Sequence, residues 1–220
     1  MGQTITLTAE DGHELSAYRA DPADAPRGGL VVIQEIFGVN PHIRSVCDRF
    51  AEVGYAAIAP AMFDRVERGI ELDYDADGVA KGREVMGGLD WDGSLRDVAA
   101  AAAAVADAGK TGAIGYCWGG SVAWLAATRL GLPSVGYYGG KIVEFAGETP
   151  RAPVLLHFGA EDPVIPPEDI DKIRAAQPKV PIFMYEAGHG FNCDARGSYN
   201  EESAKFALTR TLEFLGENLG

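Results

Sequence analysis

Apolar and polar residues alternate from Thr4 to Thr8 and again from Leu15 to Arg19, on either side of Asp11-Gly12. Period-two alternation around a turn signal predicts an antiparallel strand pair at a sheet edge. The pattern then changes. Leu30-Val-Val-Ile33 is a continuous apolar run, the mark of a strand buried on both faces. Pro41 opens a helix over His42 to Val53, with Ile43, Val46, Phe50 and Val53 at helical spacing, and Gly54 ends it. Tyr55 to Ala59 is the next strand, which completes one βαβ unit. Pro60 to Gly78 is irregular and acidic, and its length predicts a functional loop. Beyond it, strands are predicted at Gly112 to Tyr116, Ser134 to Tyr138, Val154 to Phe158 and Ile182 to Tyr185. Helices are predicted at Val79 to Met86, Ser94 to Ala106, Ser121 to Thr128, Pro167 to Ala176 and Tyr199 to Leu215. Strands alternating with helices predict an α/β fold, a mostly parallel central sheet with helices on both faces, in one domain over residues 1–220.

One stretch stands out against this pattern. In Gly112-Ala-Ile-Gly-Tyr-Cys-Trp-Gly-Gly120 a short strand runs into Cys117, and two glycines lead into a helix. This is G-x-C-x-G, the nucleophile-elbow pattern with cysteine in place of serine. Gly115 and Gly119 remove the Cβ atoms that would collide across so sharp a bend. The helix then aims the positive end of its dipole at the sulfur, which favours thiolate. Taken alone, the motif is also compatible with a glycine-rich turn around a buried, inert cysteine.

Composition narrows the function. A formal net charge of -13 leaves no basic stripe to neutralise phosphates, so nucleic acid is not expected as a partner. The longest apolar run, Val98 to Ala106, is too short to cross a bilayer. Met1-Gly-Gln-Thr-Ile-Thr6 leads straight into a strand and has no secretory character. It fits the N-myristoylation pattern, for which a chance match is the plainer reading. Three widely spaced cysteines make no disulfide framework, and with the histidines they show no zinc-ligand spacing. A cytoplasmic protein without a metal is expected, as a monomer or weak homodimer. Gly109-Lys110-Thr111 mimics the end of a P-loop, but Ala104 stands where the first glycine is required.

In such sheets ligands gather at the carboxyl ends of the strands. The loops there carry, in chain order, Glu35, Cys117, Asp162 and His189. Cys117, Asp162 and His189 follow the nucleophile, acid, histidine order of an α/β hydrolase. His189 is expected to take the thiol proton and later return it to the leaving group, with Asp162 holding its tautomer. The backbone N–H groups of Ile36 and Trp118 are the expected oxyanion donors. Asp162 has a plainer use as the start of a turn before Pro163, and Glu161 is a rival acid one position away. His157, inside an apolar strand, reads as structural. Glu35 directly follows a buried strand, where a carboxylate is costly unless paired or functional. It offers a second base for the thiol; the plainer alternative is an ion pair with an arginine such as Arg44.

Four motifs, Gln34-Glu-Ile-Phe-Gly-Val-Asn40, Gly115-Tyr-Cys-Trp-Gly-Gly120, Gly136-Tyr-Tyr-Gly139 and Gly188-His-Gly-Phe191, closely resemble those of the dienelactone hydrolases (carboxymethylenebutenolidases). The resemblance covers nearly the whole chain. It implies an α/β-hydrolase fold without a large lid domain, a Cys-His-Asp triad and no cofactor. It also implies that Glu35 is a switch carboxylate, deprotonating the thiol once substrate is bound, and that Tyr137 lies in the substrate pocket. The family holds a substrate carboxylate with two arginines. Before the elbow this chain offers Lys81 and Arg83 but no arginine in the corresponding register, and after the histidine it offers a displaced Arg196. These three, with Tyr137, Phe37 and Phe191, are the candidates for contact with a small lactone or ester substrate. A general esterase or thioesterase of the same fold, or a binding protein that has kept the pocket, are the alternatives.

Overall fold

A computed structural model describes residues 2–220. The chain begins with the expected edge pair, β1 (Gln3–Thr8) and β2 (Glu14–Ala20), which are antiparallel. β3 (Gly28–Ile33), α1 (Pro41–Glu52) and β4 (Tyr55–Pro60) form the βαβ unit, with β3 and β4 parallel. Asn40 caps α1 by accepting from the Ile43 N–H, and Pro41 takes the first helical position. Two helices follow, α2 (Ala76–Gly87) and α3 (Trp91–Ala104), each capped by an aspartate side chain, Asp75 and Asp90. The chain then runs through β5 (Thr111–Tyr116), α4 (Trp118–Leu125), β6 (Ser134–Tyr137), β7 (Val154–Gly159), α5 (Pro167–Ala176), β8 (Ile182–Tyr185) and α6 (Glu201–Asn218). A π-helical turn, Ala126–Leu130, extends α4 to Gly131.

The eight strands make one sheet in the order β1-β2-β4-β3-β5-β6-β7-β8, parallel throughout except where β2 joins β1 and β4. Leu30, Val31, Val32 and Ile33 are fully buried, as their unbroken apolar run predicts. Each such side chain stabilises the fold by roughly 1.5–3 kcal/mol. Alternation along β5 divides the helices between the two faces. A Cβ at Gly112 would meet Leu219, just past α6, whereas one at Gly115 would meet α4 at Gly119. This is the α/β-hydrolase fold with no large lid domain. Among the described residues no helix is long and apolar enough to cross a membrane. Met1, where the myristoylation pattern starts, lies outside the described residues.

The C-terminal helix is docked by a buried polar network. His157 on β7 meets the Tyr185 hydroxyl on β8 at 2.8 Å and Thr211 Oγ1 on α6 at 3.1 Å. Thr211 also meets the Tyr137 hydroxyl on β6 at 2.7 Å, and Arg210 donates to Tyr185 at 2.8 Å. Burial, aided by the Arg210 charge, lowers the His157 pKa to about 3. The folded protein therefore keeps His157 neutral where the unfolded chain, with a histidine pKa of about 6.5, takes up a proton. That contribution is complete above pH ~6.5 and is lost as pH falls towards 3. His157→Gln keeps a neutral polar side chain that cannot titrate. In urea unfolding between pH 6.5 and 4, the stability gap between wild type and this variant narrows by up to about 1.4 kcal/mol per pH unit. Parallel stability curves would show that His157 is not held neutral.

Candidate active site

Cys117 sits at the turn from β5 into α4 with φ 55° and ψ -120°. Such a conformation costs a non-glycine residue on the order of 1–3 kcal/mol. Close backbone packing maintains it. A Cβ on Gly119 would lie 2.6 Å from the Ile33 carbonyl oxygen, and one on Gly115 would overlap the Gly119 carbonyl. With glycine at both positions, α4 starts at Trp118, directly after the cysteine and three residues earlier than its apolar pattern predicts. The Cys117 N–H donates to the Tyr137 carbonyl at 3.0 Å, tying the turn to the end of β6. The sulfur thus stands at the positive end of a helix. The Trp118 N–H, at the first helical position, has no acceptor within its helix. The Ile36 N–H, in the loop after β3, has no backbone or side-chain acceptor among the described residues.

His189 reaches Cys117 from the loop after β8. Its Nε2 is 3.1 Å from Sγ, and its Nδ1 is 2.7 Å from Asp162 Oδ2. The other Asp162 oxygen accepts from the N–H groups of Val164 at 2.8 Å and Ile165 at 3.3 Å. One buried side chain therefore starts the turn around Pro163 and also orients the imidazole. Glu161, the rival acid, is exposed. Burial opposes a charged imidazole, but the hydrogen bonds to Asp162 and Cys117, with their negative charge, outweigh it and raise the His189 pKa to about 10. The site favours a protonated imidazole between Asp162 and the Cys117 sulfur.

Glu35 is 1% exposed. Its Oε1 accepts from Arg196 Nη1 at 3.1 Å, while Arg44 pairs instead with Glu71 at 2.8 Å. Glu35 Oε2 is buried with no hydrogen-bond partner. Arg196 lies seven residues beyond His189, and two tight turns return it to the site. The Cys193 N–H donates to the Gly190 carbonyl at 2.9 Å, and the Arg196 N–H to the Cys193 carbonyl at 3.1 Å. The guanidinium packs on Gly190, where a Cβ would come within 2.7 Å of it. It also faces the rings of Phe37 and Tyr74, with centres 5.6 and 5.8 Å away.

Three candidates for substrate contact sit elsewhere. The Tyr137 hydroxyl bonds Thr211 in the network under α6, so it is already partnered by protein. Tyr138, the next residue, packs on the triad histidine instead. Its ring centre is 5.1 Å from that of His189, and its hydroxyl is buried without a partner. The cause is its φ of 39°, which breaks the strand alternation one residue past the end of β6. Burial, reinforced by the charge of Glu35, raises the Tyr138 pKa well above that of a free tyrosine, so the hydroxyl remains a donor. Lys81 and Arg83 flank Gly82, which packs against the Ile36 carbonyl. Neighbouring helix positions diverge by about 100°, so both side chains splay away from that contact. Lys81 pairs with Glu67 at 2.9 Å and Glu84 at 3.4 Å, and Arg83 is exposed. Phe37 and Phe191 are buried supports, Phe37 against Tyr74 and Phe191 against Tyr138 and Tyr185. Tyr74 escapes a pattern-based reading because it lies in the irregular acidic loop. A separate cavity of about 300 Å³ opens between α1 and α6. Tyr116 and Tyr137 line it, but Cys117, Asp162, His189 and Glu35 do not.

Comparison with known proteins places the fold in a family. The family model described as "Dienelactone hydrolase family" matches residues 15–219. A Synechocystis sp. protein, provisionally named a carboxymethylenebutenolidase, is 35% identical over 241 residues, which cover 98% of this chain and 97% of the relative. The carboxymethylenebutenolidase of Pseudomonas putida is 32% identical over 223 residues, 96% of this chain and 94% of its own. Among solved structures, a provisionally assigned dienelactone hydrolase from Klebsiella pneumoniae superposes with a TM-score of 0.83 at 34% identity, covering 98% of this chain and 99% of that one. The chain belongs to the dienelactone hydrolase family and is a carboxylic ester hydrolase of the α/β-hydrolase fold.

Proposed function

We propose that the protein hydrolyses a small lactone or ester that carries a carboxylate, through a Cys117-His189-Asp162 triad and an S-acyl-enzyme. The observation that carries this reading is the unbroken contact chain from Sγ to Nε2 at 3.1 Å and from Nδ1 to Asp162 at 2.7 Å. The thiolate of Cys117 attacks the carbonyl carbon, and the Ile36 and Trp118 N–H groups take the developing oxyanion. As the tetrahedral adduct collapses, the C–O bond breaks and His189 gives its proton to the leaving oxygen. Water then attacks the thioester, His189 accepts a proton from it, and the acid leaves as the thiolate re-forms. In a lactone the leaving oxygen stays tethered to the acyl group. An enol leaving group favours the forward path, because it is a poor nucleophile for re-closure. Arg196 is the group to receive the substrate carboxylate. Turning from Glu35 to the substrate, it frees a buried carboxylate next to the site, and Glu35 becomes a second acceptor for the thiol proton.

Cys117→Ala is expected to lower kcat/KM for a dienelactone carboxylate by about 10³-fold or more, followed as loss of the substrate's ultraviolet absorbance. Cys193→Ala retains turnover, and intact-mass spectra of the wild type mixed with a slow ester show one acyl adduct, on Cys117. Equal losses in the two variants, or no adduct, would favour a binding protein that has kept the pocket. Glu35→Gln keeps an acceptor for Arg196 but removes the base. It is expected to lower kcat on the anionic lactone by about 10²-fold with little change in KM. An unchanged kcat would leave His189 as the only proton acceptor.

A further inference from the structure

Arg196 is carried at the end of a turn whose tip is Asp194. The Asp194 carboxylate is the link from that tip to α1. Its Oδ1 meets His42 Nδ1 at 2.9 Å, and its Oδ2 accepts from Arg49 Nη1 at 3.0 Å. His42 and Arg49 are seven residues apart, two helical turns, and so present one face of α1 to a single carboxylate. The His42 side chain is only 4% exposed. A ring nitrogen removed from water needs a protein partner, and Asp194 supplies it. From Asp194 the chain needs two residues to reach Arg196, whose guanidinium is pinned on Glu35 and against Phe37, Tyr74 and Gly190.

During binding Arg196 must let go of Glu35 to meet a substrate carboxylate. At that moment its ion pair no longer fixes it, and its position depends on the backbone that carries it. Cys193, on the other side of Asp194, is buried, and its backbone closes both turns, but it makes no link to α1. We propose that Asp194 is a positioning residue. By clamping the turn to His42 and Arg49 it keeps Arg196 in reach of the substrate, and so sets the preference for a carboxylate-bearing substrate over a neutral one. This rests on the reading of Arg196 as the carboxylate's partner. A merely structural staple would change stability or overall activity, and would leave the choice between charged and neutral substrates alone.

The test measures kcat and KM for a carboxylate-bearing dienelactone and for a neutral aryl ester. The proteins are the wild type, Asp194→Ala, Asp194→Asn, Arg49→Ala, Arg196→Ala and the Asp194→Ala/Arg196→Ala double variant. Asp194→Ala is expected to raise KM for the anionic lactone about tenfold, a misplacement effect, with kcat within about twofold and the neutral ester unaffected. Asp194→Asn, which keeps one acceptor oxygen, and Arg49→Ala, which removes half of the clamp, shift the anionic-to-neutral ratio in the same direction by less. In the Arg196→Ala background the Asp194 change has no further effect on that ratio. A ratio untouched by Asp194→Ala, or lowered equally with and without Arg196, overturns the proposal. If Arg196→Ala lowers the ratio and Asp194→Ala does not, only the positioning role falls. If Arg196→Ala leaves the ratio at the wild-type value, the carboxylate reading falls and takes this proposal with it.

Discussion

A cysteine held at positive φ is the constraint from which the rest of the site follows. Cys117 keeps that conformation only because β5 and α4 meet without side chains between them, at Gly115 and Gly119. The same close approach presses α4 onto the end of β3, against the Ile33 and Gln34 carbonyls. On the other side the Cys117 N–H ties the turn to β6. Because β3, β5, β6, β7 and β8 are parallel neighbours, their carboxyl ends lie side by side. The loops bearing Glu35, Asp162 and His189 therefore converge without any long excursion of the chain. The strain at one residue is small beside the burial of the strands that enforce it.

The second constraint is electrostatic. Buried polar groups in folded proteins are almost always partnered. Among the described residues six buried side-chain atoms lack a partner, and two of them belong to Glu35, paired with Arg196, and Tyr138, packed on the His189 ring. Gln34 Oε1, Glu35 Oε2 and the hydroxyls of Tyr74 and Tyr138 are all buried without a hydrogen bond. Removing water from such groups costs free energy that the fold does not recover within itself. Under the proposed function, a substrate carboxylate and carbonyl would offer acceptors to the two hydroxyls and to the guanidinium, whereas Gln34 Oε1 and Glu35 Oε2 only accept. In a dry site those interactions are stronger than in water. The ion pair between Glu35 and Arg196 keeps either charge from standing uncompensated at a buried position.

Much of this was legible in the residues. The order of strands and helices, the doubly buried run at Leu30 to Ile33, and the glycines around Cys117 all reflect local sterics and periodicity, which a sequence displays directly. Asp162 and His189 were legible because loops at strand ends are few and the chemistry needs particular side chains on them. What was not legible depended on backbone angles. Alternation from Ser134 assigns Tyr137 and Tyr138 to opposite faces, but it does not say that the strand stops at Tyr137 and that the next residue turns to φ 39°. Tyr74, His42 and Asp194 have no local pattern at all. Their contacts join segments more than 30 residues apart, and only the assembled fold brings them together.

The contrast between α2 and the turn after His189 explains which cations reach the site. A helix fixes direction rigidly, so a side chain one position off register points about 100° away. Lys81 and Arg83 lie one residue to either side of Gly82, the position that touches the Ile36 carbonyl, and no small adjustment brings them back. A loop has no such rule. Residues added between His189 and Arg196 are taken up by two hydrogen-bonded turns, and the guanidinium still arrives at Glu35. What a loop lacks is the helix's stiffness, so a cation delivered this way needs external bracing. The ring faces of Phe37 and Tyr74, the bare backbone of Gly190 and the contacts at the tip of the turn supply it. Spacing along the chain is therefore a strict guide to function on a helix and a weak one in a loop. In this site the weak case is the one that places the charge.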